Sequence, residues 1–185
     1  MKFSPQTIPD VLLIEPVIHR DARGYFVETF KQKLLDEALG YQVNFIQDNE
    51  SKSTSKGMLR GLHYQLPPYT QAKLVRVIEG SIMDVAVDIR KSSPTFGKYV
   101  SVELTAQNKY QLFIPHGFAH GFIVLSNSAT FAYKVDNYYA PKHEMGISFD
   151  DEQLDINWGM PHEILQISEK DRQLPSLDMT EKFFN

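Results

Sequence analysis

A histidine set inside a strand-like run beside an arginine and a glycine is the first residue whose type and place suit chemistry: His63, in Arg60-Gly61-Leu62-His63-Tyr64-Gln65. An imidazole titrates close to working pH, so this side chain is either a proton-transfer group or a structural histidine satisfied by its neighbours. It has company. Eight residues on, Gln71-Ala72-Lys73 opens a strongly apolar strand and puts Lys73 at a sheet entrance, near enough to share a cavity with His63. Strict alternation sets Arg60 on the face opposite His63, and Gly61 can relax that assignment by admitting a bulge. Further along, Ile114-Pro115-His116-Gly117-Phe118-Ala119-His120-Gly121-Phe122 contains Pro-x-Gly-x-x-His. The proline and glycine set a tight bend, after which His120 faces the same side as Phe122 and Val124 if a strand resumes. In Phe131-Ala132-Tyr133-Lys134-Val135, alternation groups Phe131, Tyr133 and Val135. Tyr133 is then a core tyrosine with its hydroxyl tied off, or a phenol offered to a cavity. Tyr138 and Tyr139 fall where that strand must end before Ala140-Pro141, at a rim suited to stacking on a flat ring. Asp21 to Glu28 and Ile46 to Asn49 are rich in hydrogen-bonding groups and read as surface turns. The charge run Ser168-Glu169-Lys170-Asp171-Arg172 reads as a solvated face.

These groups need a framework that is mostly β. Positions 82–89 alternate cleanly, with Met83, Val85, Val87 and Ile89 on one face and Asp84 and Asp88 on the other, the signature of a half-buried strand. Further strands are expected over 11–18, 25–29, 43–49, 61–65, 73–79, 99–105, 111–114, 121–126 and 130–137. Ser92-Ser93-Pro94, Gln107-Asn108 and Asn127-Ser128 supply turn chemistry between them. Only 31–39 has helical spacing, with Leu34, Leu35, Ala38 and Leu39 as a stripe and Gly40 in the C-cap place. A second short helix is expected near Glu181. Many short strands with turn residues between them predict an antiparallel sandwich or barrel rather than β/α units, and such a barrel encloses a cavity.

With 185 residues the chain is expected to form a single domain over 1–185, large enough to bury about two thirds of its extended surface. The absence of cysteine removes thiolate nucleophiles, cysteine-held metals and disulfides together. A net charge of −4 disfavours general binding to nucleic acid or to an anionic membrane. No apolar run is long enough for a membrane span, and MKFSPQTIPD lacks the apolar core of a secretory signal, so a cytoplasmic location is expected.

The Pro-x-Gly-x-x-His pattern resembles the second conserved motif of the cupins, small β-barrels in which that histidine often binds a metal. The first cupin motif would need His-x-His and a glutamate. His63-Tyr64-Gln65 offers neither partner, so the ligand set for a metal is incomplete. Taken together, Arg60-Gly-Leu-His-Tyr-Gln, Lys73-Leu-Val-Arg, Asp84-Val-Ala-Val-Asp-Ile-Arg, Ser93-Pro-Thr-Phe-Gly, Phe113-Ile-Pro-His-Gly-Phe-Ala-His-Gly-Phe, Tyr133-Lys and Ser168-Glu-Lys-Asp resemble the dTDP-4-dehydrorhamnose 3,5-epimerase family, in order from about Pro9 to Leu177. The resemblance implies a cupin-type double-sheet antiparallel β-barrel (jelly roll) with a few short helices and a homodimer. It also implies no metal, no cofactor, and dTDP-4-dehydro-6-deoxy-D-glucose as substrate, in dTDP-L-rhamnose and surface polysaccharide synthesis. Carried over residue by residue, it makes His63 the base, Asp171 its orienting carboxylate, Tyr133 the acid on the opposite face of the sugar, and Lys73 the neighbour of the C4 oxygen. Arg23, Glu28, Gln47, Asp48, Asn49, Arg60, His120, Glu144 and Lys170 would line the nucleotide-sugar site, with Phe26 and Tyr138 near the thymine. Met145 stands where the family pattern has an arginine.

That chemistry suits these residue types. Hydrogens on C3 and C5 are each α to the C4 ketone, so removing either gives an enolate, and inversion requires a proton returned from the other face. A histidine fixed by a carboxylate can take the proton and a phenol across the ring can supply one. A fixed cation meets the charge growing on the C4 oxygen. Guanidinium forks suit a diphosphate. A C3-only epimerase, a metal-dependent cupin enzyme and a non-catalytic nucleotide-sugar binder are the alternatives.

Overall fold

The computed structural model describes residues 1–180 and residue 184. The expected helix near Glu181 lies outside the described residues. Two antiparallel sheets face each other across one core. The first runs β1 (Lys2–Pro5), β2 (Leu12–Glu15), β10 (Gln111–Ile114), β7 (Lys73–Glu79), β12 (Ala129–Val135), β5 (Gln47–Ser53). The second runs β13 (Glu144–Gly146), β6 (Met58–Gln65), β11 (Phe118–Val124), β8 (Ser81–Asp88), β9 (Tyr99–Thr105), with the short β14 (Gln166–Ile167) parallel to β6. A separate hairpin, β3 (Ile18–Asp21) and β4 (Gly24–Val27), pairs with neither sheet. The expected double-sheet β architecture is present.

Between the sheets, Val75 and Val77 of the first meet Ile82, Ala86, Phe118 and Phe122 of the second, all buried. The helix α1 (Gln32–Leu39) drops Leu35 onto the outer side of the first sheet beside Leu12, Leu74 and Phe113. It stops at Gly40, whose left-handed φ of 76° lets its N–H bond Asp36 C=O at 2.8 Å. The outer side of the second sheet is covered by the chain from Ile147 to Leu177, with Trp158 at its centre donating Nε1–H to Phe149 C=O at 2.8 Å.

That cover corrects one expectation. The strand at 82–89 is buried on both faces, not half-buried: Met83, Val85, Val87 and Ile89 do share a face, but it is roofed by the C-terminal segment. Asp84 and Asp88 on the other face have no solvent exposure, because that face looks into the barrel. Several boundaries also differ. The strand expected over 11–18 breaks at Pro16 into β2 and β3, since proline has no N–H for a ladder. Residues 43–46 stay outside β5, and β11 begins at Phe118, directly after the turn that Gly117 closes at φ 85°. The edge strands β1 and β13 were not anticipated, being short and without alternation.

Candidate active site

The position of His63 depends on a two-glycine crossing. In the β6–β11 ladder His120 stands opposite His63 and Phe122 opposite Arg60, so two steps on β11 match three on β6. The extra residue sits at Gly61-Leu62 and shifts parity, which brings Arg60 and His63 to one cavity. Only glycines fit here. Gly61 has φ 119°, and a Cβ on it would come within 2.6 Å of Gly121 Cα; one on Gly121 would meet Arg60 C=O at 2.8 Å.

The cavity lies between the sheets, has a volume of about 720 Å³, and is lined from β6, β7, β11, β12 and the segment carrying α2 (Glu169–Arg172). The reading of Ser168 to Arg172 as a solvated face holds for Ser168, Glu169, Lys170 and Arg172, which are exposed, and fails at Asp171. Ser168 caps α2 by accepting the Asp171 N–H at 3.1 Å, and the single turn rotates Asp171 inward to 4% exposure. There its Oδ1 lies 2.7 Å from His63 Nε2 while Oδ2 accepts the Gly61 N–H at 3.3 Å. Burial works to raise the Asp171 carboxyl, but the bonds from His63, Gly61 and Ser168 outweigh it and hold it below its usual range. An ionised carboxylate only accepts, so His63 carries its proton on Nε2 and presents the Nδ1 lone pair. The arrangement is that of a base whose tautomer is fixed by its partner.

Lys73, the first residue of β7, reaches the cavity from the facing sheet with Nζ 3.5 Å from His120 Nδ1. Burial pushes its pKa down to about 8, against the charges of Asp84 and Glu144. His120 is held on its other side by Asp84, and burial keeps its pKa below the ordinary imidazole value. Tyr133 projects from β12 beside Phe131, ring centres 5.4 Å apart, and its hydroxyl takes no hydrogen-bond partner among the described residues. The phenol is thus offered to the cavity, and burial raises its pKa. A base, a cation and a neutral phenol around one void can remove a carbon-bound proton, hold the resulting oxyanion and return a proton elsewhere.

Arg60 and Lys170 also line this cavity. Glu144 joins through Lys170, with which it pairs, and accepts the Tyr139 hydroxyl at 2.8 Å. Tyr138 stands 63% exposed and outside the cavity lining, its C=O accepting Gln65 Nε2–H. On β5, Asn49 lies opposite Tyr133 and accepts from Gln47 Nε2 at 2.7 Å, whereas Asp48 pairs outward with Lys134. Arg23, Phe26 and Glu28 are elsewhere: the hairpin leaves Arg23 bonded to Asp21, Phe26 65% exposed and Glu28 bonded to Lys31, none of them lining the cavity of their own chain. Met145 pairs with Tyr64 and packs on the outer core. Sequence reasoning passed over Asp84 and Arg172, although Asp84 shares the parity of Ile82 and Ala86 and so had to face inward with them. Both cavity imidazoles are engaged by carboxylates, and among the described residues no three histidine or acidic side chains converge as a metal-binding group.

This geometry has close counterparts. A sequence model of the dTDP-4-dehydrorhamnose 3,5-epimerase family matches residues 5–179. A protein of that name from Shigella flexneri is 58% identical over 164 residues, 89% of each chain. The crystal structure of the dTDP-4-dehydrorhamnose 3,5-epimerase of Elizabethkingia anophelis superposes with a TM-score of 0.94 at 46% identity, covering 98% of this chain and 99% of that one. A dTDP-6-deoxy-D-glucose-3,5-epimerase from Legionella pneumophila, solved with dTDP-4-keto-L-rhamnose, gives a TM-score of 0.93 at 47% identity over 97% and 94% of the two chains. With the cupin-type double sheet, the cavity and the match along nearly its whole length all agreeing, the chain belongs to the dTDP-4-dehydrorhamnose 3,5-epimerase family.

Proposed function

We propose that this protein inverts C3 and C5 of dTDP-4-dehydro-6-deoxy-D-glucose, giving dTDP-4-dehydro-β-L-rhamnose by proton exchange through an enolate. The observation that carries the reading is the single cavity shared by the His63–Asp171 pair, Lys73 and the unbonded Tyr133 hydroxyl. The Legionella relative, solved with a dTDP-4-keto sugar, supports the choice of substrate. His63 takes the proton α to the ketone with Nδ1, Asp171 stabilises the imidazolium that forms, and Lys73 meets the charge on the C4 oxygen. Tyr133 delivers a proton to the opposite face. Arg60 and Lys170 bind the diphosphate, with His120, Glu144 and the β5 residues Gln47 and Asn49 completing the nucleotide-sugar site, while Asp48, paired outward with Lys134, falls outside it. Tyr138 stacks on the thymine. A homodimer and a cytoplasmic setting belong to the same proposal. The placement of Arg23, Phe26 and Glu28 favours the dimer, because these residues, which the family pattern puts at the site, line no part of the cavity of their own chain.

The test is to mix protein and substrate in heavy water. Deuterium should appear at C3 and C5. Folded protein that exchanges neither carbon would overturn the reading, and exchange at C3 alone would make the chain a one-centre epimerase. The proposed steps route nothing through a metal, so exchange should survive prolonged chelation undiminished.

A further inference from the structure

Behind His120, which lines the cavity, stands an ionisable group with no task in the reaction as proposed. Asp84 of β8 has no solvent exposure, and its two carboxylate oxygens lie 2.9 and 3.1 Å from His120 Nε2. Its neighbour in the strand pattern, Asp88, is occupied by Arg90, Ser93 and Thr95 in a network away from the cavity. Asp84 bonds His120 and nothing else among the described residues. His120, itself 7% exposed on β11, turns its second ring nitrogen to Lys73 Nζ on the facing sheet, at 3.5 Å. A carboxylate, an imidazole and an ammonium from three strands and both sheets therefore stand in file.

Burying a carboxylate is costly unless it is paired, so its placement calls for a reason. An ionised carboxylate offers only acceptor sites, which puts the ring proton on Nε2 and leaves a lone pair on Nδ1. That lone pair faces a side chain whose charged form offers only donors. We infer that Asp84 is a positioning residue of this site: by keeping the His120 proton on Nε2 it makes Nδ1 an acceptor, which holds Lys73 Nζ aimed into the cavity as a charged donor. The inference rests on the epimerase reading, which gives that donor a carbonyl oxygen to meet. With a neutral ring in the middle, carboxylate and ammonium cancel, so the buried file carries no net charge while Lys73 is protonated. Remove the carboxylate and the ring is free to adopt the other tautomer, whose Nδ1–H would oppose the Lys73 ammonium. The other ionisable groups facing the file are His63 towards the His120 ring and Glu144 towards Lys73, with Arg60 and Tyr133 across the same cavity and Asp171 bonded to His63.

The experiment compares Asp84→Asn with the wild-type chain across pH. At metal-bound histidines, losing the partner that orients the imidazole costs about 10- to 100-fold, and a loss on that order serves as the scale here. That loss is expected in kcat, with KM for the nucleotide sugar little changed. The alkaline limb of kcat should also move to lower pH, because the charge that favours the Lys73 ammonium is gone. Full activity in the variant, or a fall in kcat with the pH profile unmoved, would overturn the inference. Should circular dichroism show the variant unfolded, the side-chain ¹⁵N resonances of wild-type His120, assigned against His120→Gln, decide instead. They should show Nε2 protonated and Nδ1 bare at neutral pH, and a proton on Nδ1 would overturn it. Deuterium wash-in by the wild-type chain judges the epimerase reading separately, since the ring tautomer can be read whether or not exchange occurs.

Discussion

His63 and Tyr133 have separable tasks, and substitution should separate them. A base positioned by a carboxylate typically contributes about 10² to 10⁴ in rate. His63→Ala should therefore lose deuterium exchange by at least that range while the nucleotide still binds, as measured by calorimetry with dTDP. Tyr133→Phe should impair epimerisation more than exchange, because His63 can still remove a proton and return one to the face it came from. Equal loss of both in that variant would remove Tyr133 from its assigned place. Lys73 makes the pH dependence specific. Its pKa lies near 8 because burial disfavours the ammonium, so the donor is present below that pH and is lost as pH rises through it. kcat should accordingly decline with a midpoint near 8; a profile flat to pH 10 would show that the lysine charge is not needed.

The β6–β11 crossing is the element on which the site's geometry turns. Gly61→Ala would force a Cβ to within 2.7 Å of His120 C=O at a φ of 119°, in a conformation that L-residues avoid. The strands must separate, carrying Arg60 and His63 away from the facing residues. Displacements on the order of 1 Å can cost about 10²-fold in rate, and we expect a loss of that order together with a lower melting temperature. Gly40→Ala is the matched control. It also has a positive φ, 76°, but a Cβ there meets nothing within 4 Å. It should cost only about 1 to 2 kcal/mol for the left-handed conformation, with kcat unchanged. How far each element could be read in advance depended on this kind of local signal. β7, β9 and β10 alternate or run apolar between clear turns, and their observed ends coincide with the expected ones at 73–79, 99–105 and 111–114. The β6 bulge was legible as a possibility from Gly61, yet its direction required the partner strand.

At the scale of the whole molecule, the β3–β4 hairpin stands off both sheets and exposes Tyr25 and Phe26. If it caps the cavity of a second copy, light scattering should give twice the 21.3 kDa chain mass. Phe26→Ala should then raise KM for the nucleotide sugar with kcat little changed, although Phe26 touches no part of its own chain's cavity. A monomer with full activity would refute the dimer. Period-two alternation made the shared faces readable from residue order, because successive side chains on a strand point to opposite sides whatever the strand packs against. It placed His120 with Phe122 and Phe131 with Tyr133 correctly. Order along the chain did not reveal what each face would meet. Asp84 looked like a solvent residue until a second sheet closed over it, and Asp171 looked like part of a charged surface until one capped turn brought it against a histidine 108 positions away. Sequence determines the side on which a group leaves the backbone; packing between distant strands decides whether it meets water, a core or a reacting partner.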